Sequence, residues 1–221
     1  MVGDVIERTI ATPTHGRYLV APPATAGPAP LLVGFHGYGE AAETQLARLR
    51  AIPGAESWLL VSVQGLNRFY QPRAGEVVAG WMTRQNRELA IADNLSYVGR
   101  VIDEVFRDWP TAAPLAFAGF SQGVAMAFRA AVGIDRPADA VIAVGGDVPP
   151  ELDAAALARI RTALVCRGAT DQLYAPGTFA SDVRRLRDAR IDVRPFEFPG
   201  GHEWSGEVLS AAALLLGDRR S

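Results

Sequence analysis

Five short stretches of this chain are apolar almost without interruption: residues 31–35 (LLVGF), 59–63 (LLVSV), 115–120 (LAFAGF), 140–144 (AVIAV) and 163–166 (ALVC). Each is as long as a β-strand, and none has a polar face to offer water. Such a strand is stable only when both of its faces are covered. The covers are present in the sequence between the runs. Residues 41–51, 89–107, 122–131, 176–189 and 203–216 carry apolar side chains at helical spacing. The longest places Leu89, Ala92, Leu95, Val98, Val101, Ile102, Val105 and Phe106 on one stripe. Strand and helix alternate, which predicts an α/β fold with a mostly parallel central sheet flanked by helices on both faces. Residues 192–198 read as a further strand. Residues 5–10 and 17–20 read as a hairpin turning at 13–16.

Nothing in the pattern divides the chain, so residues 1–221 are expected to form a single domain. The interval 146–161 is too short for a separate cap domain between two strands. In contrast, residues 64–88 show little regular pattern, and an irregular stretch of that length is usually functional.

The charged residues exclude several functions. With 22 basic and 24 acidic side chains the net charge is −2, which gives no positive field for a nucleic acid or an anionic membrane. Every basic residue is arginine, so Schiff-base, pyridoxal-phosphate and P-loop lysine chemistry are all ruled out. Cys166 is the sole cysteine, so it cannot form an intrachain disulfide or a multi-cysteine metal site. The acidic start MVGDVIERTIATPTHG lacks the apolar core of a secretory signal, and no run approaches a membrane span. The cytoplasm is the expected location.

The strongest chemical signal is Gly119-Phe120-Ser121-Gln122-Gly123, a G-x-S-x-G between an apolar run and an amphipathic helix. In a sharp strand-to-helix turn, the glycines leave room for the chain and the serine projects from the carboxyl edge of the sheet. The helix start beneath it favours developing negative charge. A serine hydroxyl needs a base. His202 follows the last predicted strand on a glycine-flanked loop and is the candidate. His36, at the end of the 31–35 run, reads as a structural neighbour that hydrogen-bonds loop backbone. The acid that would hold the base in one tautomer is Asp171 in RGATDQLYAP, with Asp147 in VGGDVPPE as competitor. Donors for a tetrahedral oxyanion are expected from the backbone N–H of Gln122 and, in His36-Gly37-Tyr38-Gly39, from that of Tyr38.

Taken together, HGYG, GFSQG, the aspartate of RGATDQLYAP and the histidine of FPGGHEW resemble the α/β-hydrolase fold. More narrowly, they resemble the phospholipase/carboxylesterase group, which includes acyl-protein thioesterases and bacterial carboxylesterases. The likeness runs from about residue 30 to 216 and includes GGDVPPEL. It implies a capless serine hydrolase acting on small-molecule ester or thioester substrates through Ser121, His202 and Asp171, with no metal and no organic cofactor. Dienelactone hydrolases are similar in size and order but use cysteine, and Ser121 separates this chain from them. Two departures stand out: Glu40 follows HGYG where Asp or Asn is expected, and residues 64–81 match no particular subgroup.

Phe69, Trp81 and Trp204 are candidates for lining a substrate cleft, although aromatics in such places also anchor loops. Arg68 and Arg73 are candidates for meeting an anionic group, with solvation as the ordinary reading. Cys166 reads as buried filler. A hydrolase-fold ligand-binding protein without turnover and a peptidase on the same fold remain alternatives. The oligomeric state, a homodimer included, is not encoded legibly.

Overall fold

A computed structural model describes residues 5–71 and 75–218; Arg73 lies outside them. In chain order the elements are β1 (Arg17–Ala21), β2 (Ala29–Phe35), α1 (Ala42–Ala51), β3 (Leu59–Gln64), β4 (Asn67–Tyr70), β5 (Val77–Gly80), α2 (Arg87–Asp108) and β6 (Thr111–Phe120). They continue with α3 (Gln122–Gly133), β7 (Ala138–Val144), α4 (Ala154–Leu157), β8 (Ile160–Gly168), α5 (Pro176–Asp188), β9 (Asp192–Phe198) and α6 (Gly206–Asp218).

Seven strands form one sheet in the order β1-β3-β2-β6-β7-β8-β9. Only β1 is antiparallel, pairing with β3 from Arg17↔Gln64 to Ala21↔Leu60. The apolar runs are continuous because their alternate residues serve two cores. Leu31, Val33, Phe35, Leu115, Phe117, Val141, Ala143, Ala163 and Val165 face a core shared with α2, α3, α4 and α5. Leu32, Ala116, Ala118, Phe120, Ala140, Ile142, Val144, Leu164 and Cys166 face a second core shared with α1 and α6. Each fully buried large apolar side chain stabilises the fold by roughly 1.5–3 kcal/mol relative to exposure. Cys166 is fully buried, as expected of filler, and burial pushes its thiol pKa up.

Strand order reverses at β2. The chain leaves β2 toward β3, then returns to lay β6 on the other side of β2. The connections that leave β2 and β6 therefore part company at the carboxyl edge, the place where α/β proteins bind ligands. Phe35 pairs with Gly119, so the turns starting at His36 and Ser121 emerge side by side.

Two expectations need correction. Residues 5–10 do not form a strand. Val5, Ile6 and Ile10 are 95%, 69% and 87% exposed, because β1 finds its partner in β3 and leaves the preceding residues no sheet to join. Within the stretch read as irregular, β4 and β5 form a separate antiparallel hairpin, paired from Asn67↔Gly80 to Tyr70↔Val77. No helix of the described residues is long and apolar enough to cross a membrane.

Candidate active site

Ser121 sits at the junction of β6 and α3 with φ 51° and ψ −120°. A non-glycine residue rarely adopts such angles, and the cost of order 1–3 kcal/mol is borne where a side chain must be aimed. The turn closes so tightly that a Cβ on Gly123 would lie 2.2 Å from the Phe35 carbonyl oxygen, and one on Gly119 would lie 2.4 Å from that of Gly123. The Ser121 N–H donates to the Val144 carbonyl at 2.9 Å, which fixes the turn against β7. Gln122 is the first residue of α3, so its N–H has no carbonyl to meet within the helix. Its side chain points to the hairpin end, accepting from Trp81 N at 2.7 Å and donating to the Met82 carbonyl at 3.0 Å.

The loop after β2 is held from below. His36 is fully buried, and burial keeps its pKa below the ordinary imidazole value. Nε2 accepts from Gly65 N at 3.0 Å, so the ring proton is on Nδ1, which donates to the Gly37 carbonyl at 2.7 Å. The same carbonyl accepts from Glu40 N. A trans peptide sets its N–H opposite its C=O. With the Gly37 carbonyl held by His36 Nδ1 and Glu40 N, the N–H of the same peptide, that of the candidate donor Tyr38, points the opposite way. His36 thus has the structural part expected of it.

The candidate acid and base follow β8 and β9. Asp171 is buried, and its Oδ2 lies 2.8 Å from His202 Nδ1. Its Oδ1 accepts from Leu173 N at 2.8 Å and Tyr174 N at 3.0 Å. Burial favours the neutral acid, but the Tyr174 amide, the His202 ring and the Leu173 amide outweigh it, so the pKa lies below the usual aspartate value. A carboxylate there fixes the proton of His202 on Nδ1 and leaves Nε2 as the basic atom. The competing Asp147 is exposed. The two loops touch through main chain: a Cβ on Gly168 would lie 2.1 Å from the Gly201 carbonyl oxygen. The His202 ring lies 5.0 Å from that of Phe120, next to Ser121, and a Cβ on Gly145 would come within 3.2 Å of it.

The three aromatics proposed for the cleft separate. Phe69 is partly exposed and packs against Tyr38, the rings tilted with centroids 5.4 Å apart. Trp204 is half-buried and packs against the core of α1 and α6. Trp81 is fully buried and does not reach the cleft surface. Its Nε1–H donates to the His36 carbonyl at 2.8 Å, and its own carbonyl accepts from Asn94 Nδ2 at 2.7 Å. With its polar N–H satisfied inside, the indole supports the loop from beneath. Arg68 donates to the His15 carbonyl rather than standing free. The sequence reading missed Glu40 and Arg48 as members of this region; Glu40 drew notice there only as a departure from HGxG-D/N.

Acyl-protein thioesterase 2 of Zea mays superposes with a TM-score of 0.74 at 17% identity, over 94% of this chain and 100% of that one. Esterase PE8 gives 0.73 at 20% identity over 93% and 100%. A carboxylesterase of Mesorhizobium loti gives 0.72 at 18% over 91% and 94%. At these identities the likeness is one of fold. No curated protein matches the sequence directly. The family described as phospholipase/carboxylesterase matches residues 20–213. With that span running from the end of β1 into α6, the chain belongs to the phospholipase/carboxylesterase family and is a hydrolase of the carboxylesterase/thioesterase type.

Proposed function

We propose that the protein is a serine hydrolase that cleaves carboxylic ester or thioester bonds of small acyl substrates. Ser121 Oγ attacks the acyl carbonyl while His202 Nε2 takes its proton. The tetrahedral oxyanion is met by the N–H groups of Tyr38 and Gln122. His202 then protonates the departing alcohol or thiol, leaving an acyl group on Ser121. Water, activated by the same imidazole, releases the acid and restores the serine. Asp171 stays ionised throughout and stabilises the imidazolium.

The observation that carries this reading is the 2.8 Å contact of Asp171 Oδ2 with His202 Nδ1, beside a serine at φ 51°. Among the described residues the Ser121 hydroxyl forms no hydrogen bond; contacts between nucleophile and base are often long without substrate and tighten when it binds. The test is hydrolysis of a short-chain p-nitrophenyl ester. Ser121→Ala should lose the activity, and its labelling by a fluorophosphonate, while keeping the wild-type circular dichroism spectrum. Hydrolysis that survives in Ser121→Ala would sink the reading.

A further inference from the structure

We propose that Glu40 and Arg48 are positioning residues of the oxyanion loop, their ion pair fixing the direction in which the Tyr38 N–H points. The inference rests on the serine-hydrolase reading above and adds to it a pair that the HGxG pattern does not contain.

The loop has little intrinsic reason to hold one shape. Gly37 and Gly39 lack side chains, and Gly39 has φ +72°. A glycine backbone has the widest choice of angles, so a fixed orientation must be imposed from outside. Glu40 imposes it. Its Oε2 accepts from Gly37 N at 2.7 Å, the amide one peptide before the donor. The same carboxylate is gripped by both arms of a guanidinium: Arg48 Nη1 lies 2.6 Å from Oε2 and Nη2 lies 2.7 Å from Oε1. Paired contacts of this kind fix orientation as well as distance. The two side chains are only 18% and 21% exposed, so water competes weakly for them. Burial opposes charge on Glu40, but the Arg48 hydrogen bonds and charge win, and its pKa lies below the usual glutamate value.

Arg48 also reaches the other half of the site. Its guanidinium carbon sits 4.2 Å from the centroid of the Phe120 ring, and that ring lies 5.0 Å from the His202 imidazole. One side chain of α1 thus touches the loop carboxylate and the residue preceding Ser121. On the outer side the loop is sewn to the hairpin by Gly39 N to the Ala79 carbonyl at 2.9 Å and Ala79 N to the Glu40 carbonyl at 2.8 Å. Glu40 therefore anchors the loop in both directions, by backbone outward and by carboxylate inward.

The experiment measures kcat and KM for a p-nitrophenyl ester, together with binding of a boronic acid that forms a tetrahedral serine adduct. Glu40→Ala should lower kcat by about 10- to 100-fold, less than the loss of a whole oxyanion donor. KM should change less than twofold, and boronate binding should weaken in step with kcat. Glu40→Gln, which keeps an acceptor for Gly37 N–H, should regain a large part of the loss. A folded Glu40→Ala whose kcat stays within twofold of wild type overturns the proposal and leaves the pair a purely structural one. If Glu40→Ala does not fold, Arg48→Lys, which keeps the charge but not the parallel grip, carries the same test, and an unchanged kcat overturns it equally. Activity surviving in Ser121→Ala would instead indict the underlying reading, so the two failures are distinguishable.

Discussion

The two sides of the site differ in what holds them from within. On the side of β8 and β9, acid and base are joined by main chain: Ala169 N bonds the Phe198 carbonyl and Thr170 N that of Gly200, both at 2.9 Å, and Gly168 lies against Gly201. On the side of β2, the glycine-containing loop has main-chain bonds to Ala79 on its outer side, but inward it is held by side chains, namely His36, Glu40, Arg48 and Trp81. The first wall tolerates no added atom at its contact point. The second tolerates change but loses aim with each partner removed. Side chains act there through hydrogen bonds worth about 1 kcal/mol each, whereas a collision with backbone oxygen has no flexible end to yield.

Three substitutions probe that contrast. Asp171→Asn is expected to have the largest effect, since it lets the imidazole take the wrong tautomer: kcat should fall by about 10⁴-fold while the protein remains folded. The same variant should alter acid unfolding. The folded-state pKa of Asp171 is depressed, so its stabilisation is complete above the unfolded value of about 3.9 and vanishes as pH falls through the lower folded value. Denaturation followed against pH should lose that component in Asp171→Asn. Next comes Gly168→Ala, where the new methyl has nowhere to go, and urea unfolding should show a loss of about 3 kcal/mol. A midpoint equal to wild type would mean the main-chain wall has slack and the contrast fails. The smallest effect is expected from Trp81→Phe. It leaves the buried His36 carbonyl without its indole donor, costing about 1–3 kcal/mol of stability. Turnover should fall only a few-fold, because His36 and Glu40 still hold the loop. A collapse of kcat to the level of Asp171→Asn would show that the two walls are equally brittle.

The sheet was legible because each of its central strands is apolar on both faces, a pattern that few other environments demand. Ser121, Asp171 and His202 could be nominated from the sequence for a related reason. Each comes soon after a strand, Ser121 and Asp171 after apolar central ones and His202 after the edge strand β9, so the carboxyl edge is implied by the order of the elements. The β4–β5 hairpin was not, since Arg68, Phe69 and Tyr70 alternate no more clearly than a loop does and its two strands pair outside the main sheet. Trp81 was misjudged because sequence reveals an aromatic in a loop but not the direction of its ring. Here Asn94, Gln122 and the His36 carbonyl, all remote in the chain, turn it inward. Glu40 was noticed only as a misfit to a motif; its meaning lies in an arginine eight positions on, in the next helix.

The placement of the β4–β5 hairpin separates two kinds of evolutionary freedom. It pairs with itself and meets the rest of the molecule through the bridge between Glu40 and Ala79, the Phe69–Tyr38 ring contact and the Arg68 bond to the His15 carbonyl. Insertions between its strands incur chiefly loop-closure entropy, about 0.6 kcal/mol for each doubling of length. A lineage can thus lengthen or shorten the connection between these strands while Val78 and Ala79 stay buried, and taste for substrate can drift independently of the ability to fold.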